Sequence, residues 1–137
     1  MALLVTGTET DSTTLEWAMS PLLNHPDQLD QIRAKIDFKV GQGRLLDEQD
    51  LPNLHYLQIV INETLRFYPP VMLLGVLDVV QMAGLANWVI GLVLGSLIQS
   101  FEWERTKVDM SEGLGLTMPK IRPLEALCKP RLLMQRF

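Results

Sequence analysis

Cysteine is almost missing from this chain. Cys128 stands alone, which excludes an intrachain disulfide framework and any zinc site built on several cysteines. A lone thiol suits a reducing compartment, or a face turned toward one. Histidine is nearly as scarce: His25 and His55 have no second ligand at metal spacing, so a surface or capping role fits each better than metal ligation. No run of Lys or Arg is long enough to follow a phosphate backbone. With a net charge of −4, nucleic acid is excluded as an expected partner. The opening "MALLVTGTETDS" lacks a basic start and has a four-residue apolar run, so it does not read as a signal peptide. Internal repeats and low-complexity segments are absent.

What is present is apolar. Hydrophobic residues make up 47% of 137 and charged residues 20%, which suits one globular domain with a core of its own. Residues 5–24 read as a helix, with Leu15, Ala18, Met19, Leu22 and Leu23 at helical spacing. The preceding "TGTETDSTT" is rich in poor helix formers, and Pro21 should kink or end the helix. Asn24 or His25 as cap, then Pro26 and Asp27, open a second helix. Its stripe is Leu29, Ile32, Ile36 and Val40, with Gly41 as the stop. After the acidic connector "LLDEQDLPN", a third helix runs from about 54 to 67, with Leu54, Leu57, Ile61 and Leu65 on one side. Residues 79–98 carry no formal charge over a length that could span a bilayer. Gln81, Asn87, Ser96 and three glycines dilute them, and a buried core helix is the expectation. The tail "PLEALCKPRLLMQRF" suits an edge strand or hairpin. Within "NETLRFYPP", Glu63 and Arg66 lie one helical turn apart. An exposed pair of this kind adds only ~0.2–0.5 kcal/mol to a helix, so the two charges invite another explanation.

Three stretches supply it. "TGTETDSTTLEWAMSPLLNHP", "ETLRFYPP" and "GLANWVIGLVLGSLIQSFEWE…GLTMPK…PLEALCKPR" follow one another in that order. Together they resemble the plant cytochrome P-450 family, the haem-thiolate monooxygenases, and are similar to its isoflavone-hydroxylase-like group. The resemblance spans nearly the whole chain except about 75–82. It implies a mainly α partial P-450 fold: the C-terminal portion, with three or four helices and a short C-terminal β-hairpin. Residues 1–74 would run from the central helix to the Glu-x-x-Arg helix, and 75–137 from a remnant of the haem loop through the following helix to the hairpin. By the resemblance, Gly7, Glu9 and Thr10 match the oxygen-activation groove, where the acid and hydroxyl deliver protons to dioxygen at the haem. Position 6 is Thr where the family prefers Ala or Gly. Glu63 and Arg66 match a buried structural pair whose third partner is an arginine in a Pro-Glu-Arg-Phe segment.

That segment is missing here, and so is the Phe-x-x-Gly-x-Arg-x-Cys-x-Gly loop whose cysteine holds the haem iron. "GVLDVVQM" (75–82) stands in its place. Asp78-Val79-Val80 is what Gly-Arg-Arg codons give when read one nucleotide late, so a deletion or mis-splice that joined Leu74 to this loop out of frame is the expectation. The resemblance implies haem, an NADPH-dependent reductase and a small lipophilic substrate for the family. For this chain the expectations are an inactive fragment, no haem bound, vestigial Glu9 and Thr10, and membrane association or self-aggregation through 79–98. A non-catalytic interaction or membrane-associated remnant is the alternative. The family resides on the endoplasmic reticulum membrane facing the cytosol; this sequence shows no N-terminal anchor, and its location is left open.

Overall fold

The computed structural model describes residues 2–41, 43–67, 76–104, 107–111, 120 and 124–131, with side chains from 12 onward in the first helix and from 88 onward in the fourth. The elements are α1 (Ala2–Asn24), α2 (Pro26–Val40), a 3-10 turn (Leu51–Asn53), α3 (His55–Phe67), α4 (Val76–Ser100), β1 (Phe101–Trp103) and β2 (Cys128–Pro130). The fold is mainly helical, with one two-stranded antiparallel sheet pairing Phe101 with Pro130, Glu102 with Lys129 and Trp103 with Cys128. Among the described residues, no helix is long and apolar enough to cross a membrane.

Sequence periodicity places the core. Leu29, Ile32, Ile36 and Val40 are the buried face of α2, and Gly41 follows at φ +86°, a backbone state that favours glycine. On α3 the buried residues are Leu57, Ile61 and Thr64. Thr64 is tolerated there because its hydroxyl donates to the Val60 carbonyl at 2.8 Å. From α1 come Ala18, Met19, Leu22, Leu23 and the fully buried Trp17. Pro21 does not end α1, which runs on to Asn24. Proline one turn from a helix end sacrifices a single ladder bond, and the Pro21 carbonyl is itself used by the His25 amide at 3.0 Å.

Helix α4 sits among the other three. Ile90, Leu94 and Ile98, spaced by four, form its buried stripe. Gly95 lies on the same side: a Cβ there would come within 2.7 Å of Leu46 Cδ2 and 3.2 Å of Leu57 Cδ2. The lack of a side chain lets the 43–54 connector and α3 close onto the helix. Gln99 fastens that connector from the buried end of α4. Its Oε1 accepts from the Leu46 amide and its Nε2 donates to the Arg44 carbonyl, both at 2.9 Å.

The last carbonyls of a helix lack partners within it. Here they are met from outside. Trp103 Nε1 donates to Leu97 O at 3.2 Å, Arg33 Nε to Ile98 O at 3.4 Å, and Arg131 Nη1 to Gln99 O at 2.8 Å. The Arg131 amide takes Ser100 O at 2.9 Å, and Arg33 Nη2 takes Phe101 O at 3.1 Å. Arg131 is also ion-paired with Asp37 at 2.7 Å, both side chains mostly covered. This collar ties α2, α4 and the sheet together.

The connector carries its own clamp. Arg44 Nη1 and Nη2 donate to the two Asp50 carboxylate oxygens, each at 2.8 Å, and the Asp47 amide donates to Asp50 Oδ2 at 2.8 Å. The Arg44 hydrogen bonds hold the Asp50 carboxyl below its ordinary value of 3.8, at about 2. A depressed carboxylate contributes stability above its unfolded pKa and loses it as pH falls through the folded one. Acid titration should therefore weaken the fold between about pH 4 and pH 2, and Asp50→Asn should remove that part of the dependence, measured as denaturation midpoint against pH. Gln99→Leu should cost about 1–3 kcal/mol in chemical denaturation, because it strands two backbone groups in or near the core.

Candidate functional site

Glu63 and Arg66 project from α3 one turn apart. Arg66 Nη2 lies 2.7 Å and Nε 3.2 Å from Glu63 Oε2, while the Arg66 guanidinium rests 4.4 Å from the Phe67 ring centroid. The pair is solvated: the side chains are 66% and 50% exposed for Arg66 and Glu63. Geometry and spacing agree with the sequence, and among the described residues nothing else bonds to the pair. A surface pair of this kind contributes at most about 1 kcal/mol.

The second candidate, Gly7, Glu9 and Thr10, lies in the first half of α1, where the backbone is continuous helix from Ala2. The side chains of these three, and of Thr6, lie outside the described residues.

The third place is the segment 75–82, where the resemblance puts the loop carrying the axial cysteine. Here the backbone is helical from Val76 and runs without a break into the remainder of α4. A helical segment commits its amides to its own ladder and presents side chains around a cylinder, not along a loop under a planar cofactor. Cys128, the remaining thiol, is exposed on β2 opposite Trp103. Its neighbours Leu127 and Lys129 are exposed as well. Neither of the two described grooves, of about 390 and 420 Å³, borders it. The described residues thus do not fit a haem held through sulfur. Nor do three His, Cys, Asp or Glu side chains converge among them.

One buried polar cluster had no sequence signal. Lys120 is 8% exposed, and its Nζ donates to Ser20 Oγ at 2.9 Å and to Asp109 O at 2.6 Å while lying 5.1 Å from the Trp17 ring. Burial pushes its pKa below the usual lysine range, with Glu16 and Asp109 pulling it back up. Ser20 in turn donates to Glu16 O at 2.6 Å. Lys120 and Ser20 are both buried and both hydrogen-bonded, so the cluster is a tether between α1 and the C-terminal segment. A single lysine, bonded to groups 100 and 11 residues away, carries no pattern by which a sequence reader could have found it.

A family model described as cytochrome P450 matches residues 1–76, stopping where α4 begins. The chain is 38% identical to cytochrome P450 81Q32 of Catharanthus roseus over 200 residues, covering 99% of this chain and 40% of that protein. It is 36% identical to (+)-piperitol/(+)-sesamin synthase CYP81Q2 of Sesamum radiatum, again over 99% of this chain and 40% of the relative. Isoflavone 3'-hydroxylase of Medicago truncatula is 35% identical over 93% of this chain and 38% of its own length. The chain thus spans about two fifths of the curated relatives it matches. A 200-residue alignment against a chain of 137 leaves at least 63 positions of the first relative without a counterpart here. With more than half its length matched to the family model and relatives of this similarity, the chain belongs to the cytochrome P450 family.

Proposed function

We propose that this chain is a partial cytochrome P450 domain that does not carry out oxygenation. Residues 1–74 would be the run from the central helix to the Glu-x-x-Arg helix, and 75–137 what remains of the haem loop, the following helix and the terminal strands. The architecture from which it derives is read as a haem-dependent monooxygenase that hydroxylates small lipophilic plant metabolites with electrons from an NADPH-dependent reductase. The names of the relatives, an isoflavone hydroxylase and a lignan synthase among them, support that substrate class for the parent architecture.

The observation that carries the reading is the position of the only thiol. A haem thiolate pushes electron density onto iron and favours cleavage of the dioxygen bond, and imidazole or thioether ligands do not reproduce this. Cys128 lies on an exposed strand after α4, and "GVLDVVQM" contains no cysteine. The end of the family match at residue 76 supports a lost segment at this junction, and the unmatched positions of the first relative support a loss within the matched span. An out-of-frame join near Leu74 remains the mechanism we propose. Glu9 and Thr10 would then be vestiges of a proton-delivery groove, and Glu63 and Arg66 a polar pair whose covering segment has been lost.

Of the apolar stretch 79–98, Ile90, Leu94 and Ile98 are taken up by the chain's own core, whereas Trp88 and Val93 face outward. These two are the described candidates for membrane contact or self-association, the alternative reading of what the chain does.

Two measurements test the proposal. The purified chain, incubated with hemin and reduced under carbon monoxide, should show no thiolate-haem absorbance band and no change in spectrum on Cys128→Ser. A thiolate band, or oxygenase turnover with a reductase that Cys128→Ser abolishes, would overturn it. Arg66→Ala should lower stability by less than about 1 kcal/mol in thermal or urea unfolding. A loss of several kcal/mol would mean that the pair is buried after all.

A further inference from the structure

Among the described residues, the widest departure from the apolar-in pattern is Phe38, 84% exposed on α2. It borders a groove of about 390 Å³ between α2 and the start of α3, within the usual size of small-ligand sites. Ile32, Ile36, Leu54 and Leu57, all buried, form its floor. The rim is basic: Lys35 and Lys39, one turn apart on α2, face His55 at the head of α3. Lys35 Nζ lies 5.0 Å from the centre of the Tyr56 ring, which with Phe38 gives the groove aromatic walls.

No acidic side chain lines the groove among the described residues. The nearby acids of α2 are committed elsewhere, Asp30 to Arg33 at 3.2 Å and Asp37 to Arg131 at 2.7 Å. Lys39 and His55 have no recorded partner within the described residues. On a chain with a net charge of −4, this is a local reversal of sign over an apolar floor. The geometry points to a binding site for a small, flat, apolar carboxylate, its ring system laid over Ile36 and Leu57 between Phe38 and Tyr56, its carboxylate held by Lys35 and Lys39 with His55 as a further donor. Bound there, the ring would cover Phe38, and each charge would gain a partner in a partly desolvated setting. The site is independent of the oxygen-activation residues and of the reading proposed above.

The test uses 2-naphthoate as probe and 2-naphthamide as its uncharged counterpart of the same shape, followed by NMR chemical shifts on the whole chain. Saturable 2-naphthoate binding is expected, with shifts concentrated at Ala34–Lys39 and Asn53–Leu57, and roughly tenfold weaker binding of the amide. Lys35→Glu with Lys39→Glu should weaken 2-naphthoate by at least about tenfold and leave the amide unchanged. Both lysines are exposed, so the fold should survive; if circular dichroism shows otherwise, Lys39→Gln alone replaces the pair and should still weaken only the anion. Equal binding of the two probes, insensitivity to the lysine variants, or no saturable binding would overturn the proposal. So would lysine-dependent sedimentation with phosphatidylserine vesicles in the absence of 2-naphthoate binding, which would assign the patch to a membrane surface.

Discussion

Four consecutive carbonyls at the end of α4, from Leu97 to Ser100, and that of Phe101 just beyond it are each met by a donor from another part of the chain. An apolar helix can bury its side chains almost anywhere in a core, but its terminus cannot be buried until those carbonyls find partners. Arg33 and Arg131 do most of this, and each also answers an acid of α2. The helix end therefore fixes the position of α2 on one side and of the sheet on the other. Positive charge at a helix C-terminus is favourable in its own right, so the same two guanidinium groups satisfy hydrogen bonds and the helix dipole together. The apolar stripe of α4 sets what it packs against, and the collar sets its register.

The helices were legible because their apolar positions recur at three and four. Leu29, Ile32, Ile36 and Val40 were predicted as one stripe and are the buried face of α2, with Gly41 ending it by its positive φ. Trp17 and Thr64 were not foreseen in the core. Trp17 falls in a stretch where threonines and acids obscure the period, and Thr64 is buried by virtue of a bond to its own helix that periodicity does not reveal. The collar was hidden for a different reason. Arg33 and Arg131 look like ordinary surface charges, and their targets are backbone atoms far away in sequence. At the candidate site, Glu63 and Arg66 were recognisable from the motif around them, whereas their exposure is set by what packs over α3, which no local pattern encodes. Pro21 does not end α1, because it stands within a turn of the helix end, where a proline costs a single ladder bond.

On the reading proposed above, chain would have been lost near residues 74–76. Family-like sequence lies on both sides of it, and the helix after it starts at Val76 and still offers Gly91 and Gly95 to the connector. Packing needs an apolar face of suitable width and somewhere for backbone to approach closely. Catalysis at a haem needs one sulfur at one place. A deletion that preserved the first requirement and removed the second would leave a polypeptide able to assemble a core without that chemistry.

The tether around Lys120 also bears on how the chain is made. Ser20 and Lys120 are 100 residues apart, and the Glu16 carboxylate accepts from the Leu124 amide across 108. A ribosome releases α1 long before either partner has been polymerised, and chains synthesised at about 5–20 residues per second leave it waiting for seconds or more. During that interval Trp17 and its neighbours have no lysine over the ring and no C-terminal segment across them. The α1 flank thus waits for residues made about a hundred positions later, and a nascent chain arrested short of residue 120 would present an aromatic, apolar flank to whatever cellular machinery meets it at the exit tunnel.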